Sequence, residues 1–265
     1  MNRVTSRDGT TIAYDRTGSG QPVILVDGAL CYRSFGPMEG LARLLAPHFA
    51  VITFDRRGRG DSTDSAPYAL AREVEDIAAL IDAAGGEACV FGTSSGAALA
   101  MEAAVELGGR IRKLAMYEAP YNADEAAREE FKAYRKQLAE ALRAGRRGDA
   151  VVLFMKLVGT PAEQVEGMRQ APMWPMFEAV APTLAYDAAA LGEDRSVPLD
   201  RAARVRVPTL VMDGGASQAF MPFMAESAKA LAAAIPHAQR RTLEGQTHDV
   251  KVEALAPVLV EFFKT

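Results

Sequence analysis

A serine held between two glycines, a histidine near the end of the chain and a glutamate between them are the residues whose types and order suit chemistry. The serine is Ser94, in Gly92-Thr93-Ser94-Ser95-Gly96. A serine hydroxyl is a poor nucleophile near neutral pH and needs a base within hydrogen-bond reach. Three histidines are available. His48 and His237 each follow a proline at a helix end and read as surface residues. His248 stands in Gly245-Gln246-Thr247-His248, the loop between the last strand and the last helix. Ser94 and His248 therefore read as nucleophile and general base of an acyl transfer. Ser95 is set aside because only Ser94 lies between both glycines.

An imidazole in that role needs a carboxylate to fix its tautomer and balance its charge once protonated. Glu118, at the tip of the strand after the serine's helix, is the leading candidate. The order Ser94, Glu118, His248 keeps nucleophile, acid and base in sequence. Asp213, in Asp213-Gly214-Gly215-Ala216-Ser217, is the alternative; Glu118 would then only brace a lid contact or bind a substrate hydroxyl. Asp249 adjoins the base, but neighbouring side chains rarely aim at each other. The oxyanion of a tetrahedral intermediate needs two donors. One is the backbone N–H of Ser95, and the other comes from the loop Asp27-Gly28-Ala29-Leu30-Cys31, at Ala29 or Gly28. The glycine-rich run 55–62 lacks the Gly-Lys-Ser/Thr ending of a phosphate loop, and its mix of Arg and Asp suits internal pairing.

These residues have to be presented by the elements around them. Residues 88–91 are an apolar run that reads as a buried strand, and 97–107 are rich in strong helix formers. The turn between them is tight, and its glycines leave room for neighbouring backbone while the serine hydroxyl rises above the strand ends. Further strands are expected at 10–16, as an antiparallel edge, and at 22–26, 49–54, 112–117, 208–212 and 239–243. Helices are expected within 36–47, with Leu41, Leu44 and Leu45 on one face, and at 69–83, 222–235 and 252–263. This alternation predicts an α/β protein with a mostly parallel sheet covered by helices on both faces. Its chemistry belongs at the carboxyl ends of the strands.

From 121 to 205 the alternation stops. Helices are expected at 124–144, at 149–158 with Asp149 as N-cap, at 161–168 and at 172–191. The segment reads as a helical lid inserted into a core formed by 1–120 and 206–265. Met173, Trp174 and Tyr186 from the lid, with Cys31 from the oxyanion loop, are candidates to line an apolar substrate pocket; the competing reading is that the lid residues only glue the lid down.

Composition narrows the class. A chain of 265 residues, 49% hydrophobic and 24% charged, is an ordinary globule large enough for one domain with an insertion. A net charge of −4 offers no basic surface for nucleic acid and no polybasic patch for a membrane. No run has the length of a membrane helix, and the first residues lack the apolar core of a signal peptide. Cys31 and Cys89 show no metal-ligand spacing, so reduced thiols in a cytoplasmic protein are expected, with no metal and no cofactor. The expected partner is a small-molecule substrate, met by a monomer or homodimer.

Asp55-x-Arg57-Gly58-x-Gly60-x-Ser62, Gly92-x-Ser94-x-Gly96 and Gly245-x-x-His248, in that order over nearly the whole chain, resemble the α/β-hydrolase family. The resemblance implies the α/β-hydrolase fold. Two departures stand out. The His-Gly usual in the oxyanion loop is Asp27-Gly28, and the Asp usual after the penultimate strand would fall near Ser217, whose hydroxyl carries no charge. Both departures resemble the zearalenone lactonase branch, with its Asp-Gly oxyanion loop, an elbow comparable to Thr93-Ser94-Ser95-Gly96 and a Glu after the following strand. That resemblance implies Ser94 as nucleophile, His248 as base, Glu118 as acid, Gly28 with Ser95 as oxyanion donors, and Trp174 in the lid region that contacts the lactone. Haloalkane dehalogenases are similar in the Glu position but use an Asp nucleophile, which Ser94 excludes. The expected function is a cofactor-independent serine hydrolase of carboxylic esters, lactones among them. A carbon–carbon bond hydrolase, a cofactor-free oxygenase and a non-catalytic small-molecule receptor are the alternatives on the same scaffold.

Overall fold

Eight strands form one sheet: β1 (Asn2–Thr5), β2 (Thr11–Thr17), β3 (Pro22–Val26), β4 (Ala50–Phe54), β5 (Ala88–Thr93), β6 (Ile111–Tyr117), β7 (Thr209–Gly214) and β8 (Ala238–Leu243). The computed structural model describes all 265 residues, Met1–Thr265. Across the sheet the order is β1-β2-β4-β3-β5-β6-β7-β8. The β1–β2 and β2–β4 pairs are antiparallel, and every other pair is parallel. The expected edge strand is therefore the second one. Its hairpin partner β1 takes the edge from a stretch too polar to signal a strand.

Helices α1 (Met38–Leu45), α2 (Leu70–Ala84) and α3 (Ser95–Leu107) alternate with the strands up to β6. Between β6 and β7 run α4 (Glu125–Arg143), α5 (Arg147–Leu157), α6 (Ala162–Arg169), α7 (Trp174–Val180), α8 (Leu184–Ala190) and the short α9 (Leu199–Ala202). Then α10 (Phe223–Ala234) follows β7, and α11 (Val252–Lys264) follows β8. The period-two alternation of the strands splits the core into two layers. Ile24, Val26, Val90, Leu114 and Met116 face α2, α3 and α10, while Val23, Leu25, Cys89, Phe91 and Ala115 face α1 and α11.

Local deviations have local causes. In α1 the buried stripe is Met38, Leu41, Ala42 and Leu45 at helical spacing, and Leu44 falls off it, 40% exposed. Helix α5 starts at Arg147, so Asp149 sits in its first turn rather than capping it, still at the positive end of the helix dipole. The expected helix 172–191 is divided into α7, a 3₁₀ turn over Ala181–Thr183, and α8, because Pro182 has no N–H to continue the ladder. Strand β7 runs two residues past expectation, since Asp213 and Gly214 still pair with Thr242 and Leu243 of β8. No helix is long and apolar enough to cross a membrane.

Helices α4 to α8 share a third buried cluster, in which Phe131, Tyr134, Leu138, Trp174, Phe177 and Leu184 pack together with Leu30 of the β3–α1 loop. The segment thus rests on the loop that follows β3.

Candidate active site

Strand β5 hands directly over to α3, and Ser94 makes the corner with φ of 55° and ψ of −131°. Two glycines make that corner fit. A Cβ on Gly92 would stand 2.3 Å from the Gly96 carbonyl oxygen, and one on Gly96 would stand 2.4 Å from that of Val26. The Ser94 N–H donates to the Tyr117 carbonyl at 2.9 Å, tying the corner to β6. At the first position of α3, the Ser95 N–H has no intrahelical acceptor and stays open to an incoming oxygen.

The loop after β3 runs beside this corner. A Cβ on Gly28 would lie 3.1 Å from Ser94 Cβ and 3.7 Å from Ser94 Oγ. The Gly28 N–H donates to its neighbour's carboxylate, Asp27 Oδ1, at 2.9 Å, whereas the Ala29 N–H has no acceptor in the protein. Asp27 is 5% exposed, and burial pushes its pKa up to about 6, against the Gly28 N–H, Arg59, the Cys31 thiol and Arg56, which favour the anion. The folded state therefore holds this proton more tightly than the unfolded chain. The group's contribution to stability falls as pH rises from about 4 through about 6. Asp27→Asn should accordingly gain on the wild type, by on the order of 2 kcal/mol, between pH 4 and pH 7 in urea unfolding. A difference that stays constant over that range would rule out the linkage.

Glu118 follows β6 with a φ of 45°, its N–H donating to the Met212 carbonyl at 3.0 Å. Its buried carboxylate accepts the Gly214 N–H on Oε1 at 2.8 Å and meets His248 Nδ1 on Oε2 at 2.8 Å. A carboxylate at Nδ1 selects the tautomer with its proton there, leaving Nε2 as the acceptor a base needs. The histidine loop is pinned by the Tyr117 hydroxyl, which donates to the Thr247 carbonyl at 2.5 Å, and by the Ala216 N–H on the Gln246 carbonyl at 2.9 Å. Ser94 Oγ and the His248 ring are not hydrogen-bonded to each other, a link that commonly closes only around substrate.

Asp213 looks elsewhere. Its buried carboxylate forms a two-pronged pair with Arg240 at 3.0 and 3.1 Å and accepts from the Thr242 hydroxyl at 3.1 Å. Burial raises its pKa, with Arg240 working in the opposite direction. Asp249 is exposed.

The residues that sequence reasoning missed lie behind the oxyanion loop. Asp187 of α8 is buried, and its Oδ1 accepts from the Ser95 hydroxyl at 2.7 Å and from Arg56 Nη1 at 2.6 Å. Its Oδ2 accepts from Arg59 Nη2 at 2.7 Å. Arg59 Nη1 then donates to the carbonyls of Gly28 at 2.6 Å and Cys31 at 3.0 Å. Burial would raise the Asp187 pKa, but Arg59 and Arg56 outweigh it and hold the carboxyl below the usual range. The charges of the run 55–62 are thus spent on ion pairs, with partners outside the run, and these pairs clamp the loop after β3, Ser95 and α8 to one another. Arg57 pairs with Asp76 and Asp8, and Asp55 with Arg33.

The pocket candidates do not converge. Trp174 is buried among the helices between β6 and β7, its indole N–H donating to Glu178 at 2.9 Å, because a buried indole needs an acceptor. Met173 is 39% exposed. Tyr186 lies flat on Tyr68, ring centroids 3.8 Å apart, and donates to Asp64 at 2.6 Å. Cys31 stays beside Asp27, and burial pushes its thiol far up, so it is no thiolate. A surface groove of about 300 Å³ between α4 and α5 has Glu140, Arg146 and Leu153 in its wall and none of the residues of the site.

The sequence profile of the Alpha/beta hydrolase family matches residues 17–257. The chain belongs to the alpha/beta hydrolase family. Among solved structures, an alpha/beta hydrolase from Sphaerobacter thermophilus is 51% identical, covers 99% of this chain and 100% of its own, and superposes with a TM-score of 0.87. A hydrolase from Pseudomonas aeruginosa is 25% identical over 100% of this chain and 98% of its own, with a TM-score of 0.76. The enol-lactonase of Burkholderia xenovorans, at 21% identity, 100% coverage of both chains and a TM-score of 0.70, shares the fold. A curated Mycobacterium tuberculosis protein named as a non-heme bromoperoxidase, BpoC, is 36% identical over 93 residues. That match spans 34% of this chain and only 35% of the relative's length. Within this alpha/beta hydrolase, the match to the family runs from the last residue of β2 into the first half of α11 and so includes Ser94, Glu118 and His248.

Proposed function

We propose that this alpha/beta hydrolase cleaves carboxylic esters through an acyl-enzyme, with lactones as the cyclic case. The observation that carries the reading is the 2.8 Å bond from Glu118 to His248 Nδ1, made at the sheet end where Ser94 stands on its strained corner. Ser94 Oγ attacks the ester carbonyl while His248 Nε2 takes its proton, and Glu118 balances the imidazolium. The tetrahedral oxyanion is received by the N–H groups of Ser95 and Ala29, both without acceptors in the protein. His248 returns the proton to the departing alcohol, and water releases the acyl group by the same steps reversed. The Asp27-Gly28 loop and the glutamate after β6 support the lactone form, because they are the features on which the likeness to the zearalenone lactonase branch rests. The fold shared with an enol-lactonase is in keeping with it.

The test is an ester and lactone panel run on wild type and Ser94→Ala, alongside a fluorophosphonate probe. The wild type should label and turn over at least one panel member. Ser94→Ala should lose labelling and fall by at least about 10⁴-fold in kcat. Folded wild type that neither labels nor hydrolyses anything in the panel would end this reading.

A further inference from the structure

We infer that Arg195 is a subsite for a carboxylate carried by the substrate itself, so that the preferred ester or lactone is one whose far end bears a single negative charge. The inference deepens the hydrolase reading and rests on it. Four non-glycine residues in the chain have positive φ: Leu30, Ser94, Glu118 and Arg195. The first three belong to the oxyanion loop, the corner serine and the glutamate on His248. Such backbone is strained for a residue with a Cβ, and strain of this kind recurs at functional sites. Arg195, at 51°, is the one that the mechanism above leaves unused.

Its side chain is a second anomaly. Arg195 is 8% exposed, its Nε is buried without a hydrogen-bond partner, and it forms no ion pair. Arg56, Arg57 and Arg59 are at least as buried, and each has a carboxylate in hydrogen-bond contact. A buried guanidinium without an anion is strongly disfavoured unless something else meets it. Two aromatic faces meet this one in part, with Phe131 and Phe223 at 5.7 and 5.6 Å from the guanidinium carbon. Ring faces satisfy the flat surface of the cation and leave its edge donors unfilled.

The location suits a substrate. The Arg195 carbonyl accepts the Asn122 N–H at 2.8 Å, in the segment leading away from Glu118. Phe131 comes from α4 of the lid, and Phe223 opens α10, the helix after β7, the strand whose last residue Gly214 donates its N–H to Glu118. Phe131 and Phe223 thus belong to segments that leave the carboxyl ends of β6 and β7, the sheet end where Ser94 lies, and Arg195, in the loop between α8 and α9, is tied to the first of these segments by its bond to Asn122. A planar guanidinium with free edge donors fits a carboxylate in the two-pronged manner, and the two rings offer apolar walls to the carbon chain behind it. One cation matches a monoanion better than a doubly charged phosphate.

The experiment compares a monoalkyl ester of a short dicarboxylic acid with the corresponding neutral dialkyl ester. For Arg195→Met, the ratio of kcat/KM on the half-ester to that on the diester should fall about 10- to 100-fold, carried by KM, the scale of a lost charged hydrogen bond. Arg195→Lys should recover part of it. In unmodified protein, the free dicarboxylate should compete with the neutral ester, an outcome that needs no variant to fold. Calorimetry of the half-ester on Ser94→Ala, with and without Arg195→Met, reads the subsite even if no ester is turned over. A fall that is equal on both esters, or no binding of half-ester and dicarboxylate to the intact site, would reduce Arg195 to a brace between Phe131 and Phe223 and overturn the inference.

Discussion

Glu118→Gln lowers kcat by about 10⁴-fold, the scale seen when a triad acid is made an amide, and Asp213→Asn leaves kcat within about threefold. The amide keeps the size and the Gly214 contact of the glutamate, so the fold survives. It removes the negative charge opposite the imidazolium, and turning its NH₂ toward Nδ1 favours the tautomer whose Nε2 already carries a proton. Asp213 has no such connection, since both its oxygens are engaged by Arg240 and Thr242. Steady-state kinetics on the best ester of the panel decides between them. The opposite ranking would hand the acid role to Asp213.

Asp187→Ala should be the most destabilising single change in the helices between β6 and β7, by roughly 3–5 kcal/mol, because it strips a buried anion from two buried cations. Arg56 keeps Glu73, but Arg59 is left with the Thr183 hydroxyl and two carbonyls. The damage should reach the chemistry as well. Ser95 loses the acceptor of its hydroxyl, and Arg59 loses the anchor from which it holds the Gly28 and Cys31 carbonyls, so both oxyanion donors lose their fixed positions. A shift of the urea midpoint together with at least tenfold slower fluorophosphonate labelling is the expected pair of results. Wild-type stability would show the clamp to be dispensable.

Much of this architecture is written in short-range patterns. Apolar runs such as Pro22–Val26 report burial directly, and the glycine spacing around Ser94 reports a steric need that the 2.3 and 2.4 Å approaches explain. Glu118 was legible because its place after β6 could be counted. The clamp was not, because Asp187 lies 131 residues from Arg56 and 128 from Arg59, and nothing in its own helix marks its partners. The same limit applies to Tyr117, whose hydroxyl holds a carbonyl 130 residues away. Trp174 and Tyr186 misled for a related reason. Their composition suggests a pocket, yet Trp174 spends its indole N–H on Glu178, one turn along its own helix, and Tyr186 lies on Tyr68, 118 residues away. The oxyanion loop shows how fine the remaining detail is: Gly28 and Ala29 are adjacent, and one carboxylate oxygen separates an engaged N–H from a free one.

Thr183 and Asp187 lie in the inserted segment by chain position but answer electrically to the core, through Arg59 and Arg56. A chimera that borrows the stretch between β6 and β7 from a relative would therefore have to be spliced upstream of Thr183, keeping α8 native. A cut placed at the sequence-based boundary near residue 205 would leave the host's arginines without their anion and carry a foreign helix onto them. The interchangeable part of this helical stretch ends about two dozen residues before the sheet resumes at Thr209.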